Sequence, residues 1–218
     1  MVSASAGTYQ RGYVCVRLNL AQIIEASHVV VTQLSAHLQP VLQAGLENAN
    51  FEVRSAALQC VSAWVMSCED EEEATQARSL LPGTLAAAAA AAERSDDDTV
   101  VLAFEVLDEV AETPSNVMGK LLPQTVAFAV QVIRSRSLAR RTRHRASDFI
   151  EWLCMYKPKG TGRRAVLGTF IPALLECLEE EPDVDADDYE EGDGDDAADF
   201  GAAALQTAAE NLNADRMQ

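Results

Sequence analysis

The sequence predicts an all-α protein in which pairs of helices repeat along the chain and stack into a solenoid. Hydrophobic residues make up 48% of the 218 residues and aromatic residues only 6%, which together with abundant alanine favours helices over a β-sandwich. Leucine-rich segments that contain a proline recur at intervals of 42, 41 and 49 residues. Each is followed by a second segment whose apolar residues recur every three or four positions, as on one helix face.

The first helix of each predicted pair is marked by its proline. The four prolines are Pro40, Pro82, Pro123 and Pro172. Proline is tolerated in the first turn of a helix, where its missing N–H costs no hydrogen bond, so each is expected near the start of its helix. The alanine run 86–92 predicts a helix that packs closely against a neighbour.

The second helix of each pair is marked by an apolar stripe. Three stripes consist of Ala57, Leu58, Val61, Trp64 and Val65, of Ala103, Phe104, Leu107, Val110 and Ala111, and of Ala146, Phe149, Ile150 and Leu153. Trp64 lies on a stripe and is expected to be buried. Polar breaks at 47–50, 94–98 and 181–196 separate the helices, and their Asn and Asp residues are suited to capping the helix that follows.

A helix pair that repeats about every 40 residues is typical of HEAT or armadillo repeats. One such pair cannot bury its own apolar face, so about four pairs are expected to stack. The expected repeats are 35–68, 76–112, 117–156 and 163–214, with a partial or divergent repeat at 1–34 and an acidic insertion at 182–199.

Charge is distributed unevenly along the chain. The net charge is −17, and residues 176–199 hold 14 acidic residues and no Lys or Arg. Residues 134–164 hold 10 of the 17 Lys and Arg. A chain this acidic overall is not expected to bind nucleic acid directly.

No catalytic, metal-binding or cofactor-binding arrangement can be assembled from the sequence. The three histidines are isolated from one another, and no Gly-rich phosphate loop is present, so we expect neither an enzyme nor a cofactor. The apolar run 80–92 is interrupted by Pro82 and Gly83 and is too short to span a bilayer, so no membrane partner is expected. Five cysteines without paired spacing predict reduced thiols in the cytosol or nucleus.

Two motifs resemble those of a known family. The run 101–112 (VLAFEVLDEVAE) and the run 118–123 (MGKLLP) are similar to the central HEAT repeats of importin-beta (karyopherin-beta) nuclear transport receptors, in particular the importin-four and importin-five branch. In that branch a basic helix follows, which residues 143–150 match, and then a repeat with an acidic insertion, which residues 183–199 match. The resemblance covers roughly residues 35–214, and the amino-terminal Ran-binding repeats and the carboxy-terminal repeats are not recognisable.

The resemblance implies a nuclear import receptor that binds basic cargo proteins, of ribosomal or histone type, and carries them through nuclear pores. It implies shuttling between cytoplasm and nucleus, with nucleoporins and Ran as partners of the full-length receptor only. The alternative is a HEAT-repeat scaffold subunit of another complex, of the phosphatase-regulatory or chromosome-organising type.

Two groups of residues are candidate contacts. The candidates for basic cargo are Asp183, Asp185, Asp187, Asp188, Glu190, Glu191, Asp193, Asp195 and Asp196. A dense array of carboxylates attracts cationic segments, although it is equally consistent with a solvated spacer. The candidates for an exposed contact are Trp152, Arg140, Arg141, Arg143 and Arg145. This basic run fits a solvated helix face, a phosphate-binding patch, or an intramolecular partner for the acidic run.

Overall fold

The computed structural model describes residues 28–67, 75–76, 78–112, 118–180 and 196–214. Within these ranges the chain forms nine helices and no strand, so the predicted all-α class is confirmed. The helices are α1 (His28–Leu46), α2 (Phe51–Ser67), α3 (Leu81–Ala92), α4 (Asp97–Glu112), α5 (Met118–Arg134), α6 (Arg140–Tyr156), α7 (Pro158–Thr161), α8 (Arg164–Leu178) and α9 (Ala197–Ala214). None of these described helices is both long and apolar enough to cross a membrane.

Eight of the helices follow the predicted order of pairs: α1 with α2, α3 with α4, α5 with α6, and α8 with α9. The single turn of α7 was not predicted. Helix α1 crosses the expected boundary at residue 35, and α9 begins at Ala197, so residues 197–199 are helical rather than part of the insertion. Most of the expected partial repeat at 1–34 lies outside the described residues.

The prolines do not all lie where the sequence placed them. Only Pro82 is in a first turn, whereas Pro40, Pro123 and Pro172 lie inside α1, α5 and α8. The expected position near the start was therefore wrong for Pro40 and Pro172, which lie in the middle of their helices, whereas Pro123 is the sixth residue of α5. All three are solvent-exposed. An interior proline removes the hydrogen bond to the carbonyl four residues earlier, and on an exposed face that carbonyl is accessible to water.

The chain divides into two compact units, of which the first comprises residues up to Arg94 together with Asp98–Val110. Its core includes Leu58 and Trp64, both fully buried, as predicted for their stripe. Helices α1 and α2 approach closely, because a Cβ added at Gly45 would lie only 2.8 Å from the Cβ of Ala57. In α3, Ala87, Ala88, Ala91 and Ala92 are buried, which confirms the close packing predicted from the alanine run.

The start of α2 shows the predicted type of cap. The side-chain Oδ1 of Asn50 accepts a hydrogen bond from the backbone N–H of Glu52 at 2.8 Å, which satisfies one of the free donors of the first turn. Further along α2, the hydroxyls of Ser55 and Thr99 are hydrogen-bonded at 2.9 Å, which joins α2 to the first turn of α4.

The second unit comprises Ser95–Asp97 and the residues from Ala111 onward. Three phenylalanines from different helices, Phe149, Phe170 and Phe200, are at most 1% exposed and form the centre of its core. Helices α6 and α8 both pack against α5 and α9. A Cβ at Gly201 would lie 2.9 Å from the Cβ of Cys177, so α8 and α9 are in close contact. The hydroxyl of Thr161 in α7 donates a hydrogen bond to the carbonyl of Leu153 in α6 at 3.0 Å.

Candidate functional site

In the second unit, arginines of the basic run lie beside Glu176, Glu180 and Asp196, which are described acidic residues on either side of 181–195. The basic side chains come from the end of α5, the connection to α6, and the start of α6. The acidic side chains come from the last turn of α8, from the second residue after it, and from the residue before α9. We call this group the arginine–acid cluster: Arg134, Arg136, Arg140, Arg143, Glu176, Glu180 and Asp196. Residues 181–195, between Glu180 and Asp196, are called the acidic segment.

Arg143 and Glu180 form a buried bidentate pair at the centre of the cluster. The two Nη atoms of Arg143 donate to the two carboxylate oxygens of Glu180 at 2.7 and 2.6 Å, and Nε donates to the carbonyl of Ile133 at 2.7 Å. The side chains are only 7% and 18% exposed. Burial lowers the pKa of Arg143, but the hydrogen bonds and charge of Glu180 outweigh burial and raise that pKa above its usual value. The same hydrogen bonds lower the pKa of Glu180.

The outer pairs of the cluster are more exposed. Arg134 also forms a bidentate pair with Glu176, but through Nε at 2.7 Å and Nη2 at 2.6 Å, and the side chains are 44% and 56% exposed. Arg136 approaches Glu180 at 3.9 Å and is itself 77% exposed. Exposed pairs of this kind contribute little to stability, so Arg143 and Glu180 are the structural centre of the cluster.

Arg140 connects α6 to the other border of the acidic segment. Its Nη1 lies 3.2 Å from Oδ1 of Asp196. The carbonyl of Asp196 accepts hydrogen bonds from the N–H groups of Asp199 and Phe200 and so begins α9. Residues 180 and 196 flank the acidic segment. Both are therefore bound by arginines of α6, and these two arginines are three positions apart in the sequence.

The position of α6 is set by a carboxylate from an earlier repeat. Ala139, which precedes α6, provides no side-chain cap. Instead, Oδ1 of Asp97 accepts a hydrogen bond from the backbone N–H of Ala139 at 2.8 Å and a second from the hydroxyl of Thr142. Asp97 thus satisfies a donor at the start of the helix that carries Arg140 and Arg143.

The remaining predicted contact residues lie along one side of α6. They are Arg141, Arg145 and Trp152. Together with Tyr156, which was not predicted as a contact, they are spaced by four, seven and four residues, and we call these four residues the α6 strip. Arg141 and Tyr156 are exposed, whereas Arg145 and Trp152 are half-buried. The Trp152 ring stacks on Tyr156 with centroids 4.8 Å apart. Arg143 is buried, so its expected exposure was wrong: its guanidinium is enclosed by Glu180 and Ile133.

The acidic candidates for cargo contact fall almost entirely outside the described residues. Asp183, Asp185, Asp187, Asp188, Glu190, Glu191, Asp193 and Asp195 lie within the acidic segment and outside the described part of the chain. Asp196 is described, and its side chain is already paired with Arg140.

Sequence reasoning did not single out Glu176 and Glu180. The sequence separation of these pairs could have identified them. Glu176 follows Arg134 by 42 residues and Glu180 follows Arg143 by 37 residues, and each separation is close to one repeat length. In a stack of repeats, residues about one repeat apart lie next to each other. Opposite charges at that separation therefore predict ion pairs between neighbouring repeats.

The buried cysteines of the second unit do not provide a nucleophile. Burial raises the pKa of the Cys154 thiol to about 12, and burial also raises the pKa of Cys177, although the charge of Arg143 opposes that rise. Both groups therefore remain protonated at neutral pH.

Comparison with known proteins assigns the chain to a family. The family model described as "IPO5-like, TPR repeats" matches residues 19–128, half of the chain. The chain belongs to the IPO5-like importin-beta family. Members of this family are nuclear import receptors rather than a class of enzymes. No curated protein matches the sequence.

Solved structures of the karyopherin Kap121p share the fold of this importin-beta family chain. Kap121p bound to Pho4p matches with a TM-score of 0.73 and 20% identity over 88% of this chain and 20% of that one. Kap121p bound to the SUMO protease Ulp1p matches with a TM-score of 0.69 and 18% identity, over 90% and 21%. Kap121p bound to Nup53p matches with a TM-score of 0.67 and 20% identity, over 87% and 20%. The chain thus spans about a fifth of these solved chains, and the predicted HEAT-type helical solenoid is confirmed.

Proposed function

We propose that this chain is the part of a nuclear import receptor that attracts basic cargo, of ribosomal or histone type, through its acidic segment. The whole receptor would carry that cargo through nuclear pores and shuttle between cytoplasm and nucleus, with nucleoporins and Ran engaged by the full-length protein. Family membership and the Kap121p complexes with Pho4p, Ulp1p and Nup53p support transport of proteins as the general role.

The observation that carries the proposal is the concentration of charge. Residues 176–199 contain 14 of the 34 acidic residues and no basic residue. Carboxylates at this density raise the encounter rate with a cationic segment, by roughly tenfold or more at low ionic strength. The flanking residues Glu180 and Asp196 are already bound to arginines, so carboxylates between them are the ones assigned to cargo.

The test replaces Asp183, Asp185, Asp187, Asp188, Glu190 and Glu191 with Ser, giving what we call the six-serine variant. We expect its association with a histone-type basic peptide to slow by about tenfold at low salt, because steering is lost. The salt dependence of the rate should flatten, while the melting temperature at physiological salt stays nearly unchanged. Stopped-flow fluorescence and thermal denaturation provide the two measurements.

A second acidic run offers a matched control. The five-serine variant replaces five residues of this run with Ser: Glu69, Asp70, Glu71, Glu72 and Glu73. Its net charge is −12, against −11 for the six-serine variant. The five-serine variant should keep most of the association rate if the acidic segment is the cargo contact. Equal rates for both variants would show that only total charge matters and would reject the acidic segment as a cargo site.

A further inference from the structure

The arginine–acid cluster fixes the positions of Glu180 and Asp196, the two residues that flank the acidic segment. Arg143 holds Glu180 at 2.6 Å and Arg140 holds Asp196 at 3.2 Å, so both ends of the segment lie beside the first turn of α6. The α6 strip begins on the same helix with Arg141, which is exposed.

We propose that the α6 strip is the docking surface of the chain's own acidic segment. Charge complementarity supports this occupant: residues 181–195 hold nine carboxylates and no Lys or Arg, whereas the strip begins with two arginines. Asp148 also lies on this side of α6, with its carboxylate 3.4 Å from His144, and its single negative charge leaves the side that carries the two arginines net positive.

The length of the segment fits the strip. Fifteen residues that go out and return to the same place reach about 25 Å, at roughly 3.3–3.6 Å per extended residue. From Arg140 to Tyr156, α6 is about 24 Å long at 1.5 Å per residue. The segment is therefore long enough to pass both arginines and to bring Tyr189 to the level of Trp152, which stacks on Tyr156.

Docking of this kind gives the site a means of regulation, and this part of the inference rests on the proposed function. The arginines of the strip compete with basic cargo for the same carboxylates. Because the segment is tethered at both ends, its local concentration at the strip is of millimolar order. Cargo must then present more positive charge than the strip does, which selects densely basic partners.

The test uses a fluorescein-labelled peptide of residues 181–195, added to the full chain without any basic cargo. The peptide should bind the six-serine variant, whose own segment competes poorly, at least about tenfold more tightly than it binds the unsubstituted chain. Fluorescence anisotropy measures both affinities. Equal affinity for the two chains, or no binding to either, would overturn the docking inference. Because no cargo is present, this result is separate from the success or failure of the cargo proposal.

A charge-matched pair of substitutions locates the docking surface. In the six-serine background, Arg141→Gln with Arg145→Gln should weaken peptide binding by about tenfold, since two of its charge partners are removed. Arg163→Gln with Arg164→Gln removes two exposed arginines at the start of α8 and should leave binding nearly unchanged. Equal losses in the two pairs would indicate nonspecific attraction and reject the α6 strip.

The emission wavelength of Trp152 gives a second test, because this residue is part of the α6 strip. Trp64 is fully buried and provides a constant background, whereas Trp152 is half-buried on the strip. The emission of the six-serine variant should shift to longer wavelength than that of the unsubstituted chain, and the added peptide should reverse the shift. An unchanged emission maximum in the six-serine variant would contradict occupancy of the strip near Trp152.

Discussion

At the scale of single residues, Arg143 shows how the second unit accommodates a buried charge. Its guanidinium uses Nε for the carbonyl of Ile133 and both Nη atoms for Glu180, so its planar group is bound on two sides. It also lies 5.9 Å from the ring centroid of Phe200. A lysine at this position has no equivalent geometry, because an ammonium group cannot form the bidentate pair. The residue thus joins α5, α6, α8 and α9.

Glu180→Gln should destabilise the protein in a pH-dependent way. The pKa of Glu180 is lowered in the folded state by the hydrogen bonds of Arg143, so its stabilisation is fully present above the ordinary carboxyl pKa of about 4.3. That stabilisation is lost as pH falls through the lowered pKa. We expect a loss of about 2–3 kcal/mol at pH 7, because the substitution leaves Arg143 buried without a counter-charge. Urea denaturation should show the difference between the two proteins shrinking below pH 4.

Glu176→Gln is the control for that measurement. Arg134 holds Glu176 with similar distances, but both side chains are exposed and water screens the pair. The control should therefore lose clearly less stability at pH 7 than Glu180→Gln. Comparable losses would mean that burial does not distinguish the two pairs.

At the scale of the helices, much of the fold could be predicted from the sequence because apolar spacing is a local property. Trp64, Phe104 and Phe149 lie on predicted stripes, and each is fully buried. The position of a proline within its helix is less predictable. Pro40 and Pro172 are tolerated inside their helices because they lie on faces that water reaches, and which face is exposed is decided by packing. The burial of Arg143 required knowledge of its partner Glu180, which depends on the register between neighbouring repeats.

Helix α6 begins without a cap of its own, and Asp97 from another repeat takes that role. Asp97→Ala should cost about 1–2 kcal/mol, because the N–H of Ala139 and the hydroxyl of Thr142 lose their shared acceptor. Hydrogen exchange should also show faster exchange in the first turn of α6. Chemical denaturation measures the loss of free energy of unfolding.

Asp97→Asn separates the hydrogen bonds from the charge. Asparagine keeps a carbonyl oxygen at the position of Oδ1 and should restore more than half of the stability lost in Asp97→Ala. If the Asn variant is as unstable as the Ala variant, the negative charge near the start of α6, rather than its geometry, provides the stabilisation.

At the scale of the whole molecule, the distribution of charge separates two roles. The ion pairs of the arginine–acid cluster, chiefly that of Arg143 with Glu180, stabilise the folded second unit. The excess of negative charge, −17 overall, opposes compaction by repulsion and at the same time leaves carboxylates for a partner. Salt affects these two contributions differently, because exposed charges are screened more effectively than buried pairs.

Salt should therefore raise the melting temperature of the unsubstituted chain. Increasing the ionic strength from about 10 mM to about 150 mM shortens the screening length from about 30 Å to about 8 Å, so repulsion among exposed carboxylates weakens while the Arg143–Glu180 pair is little affected. The six-serine and five-serine variants have net charges of −11 and −12 and should show a smaller rise, similar in both. Differential scanning calorimetry at the two salt concentrations checks this. A melting temperature that falls with added salt would mean that ion pairs outweigh repulsion. If the five-serine variant rises as much as the unsubstituted chain and only the six-serine variant rises less, the local charge density of the acidic segment, rather than net charge, limits stability.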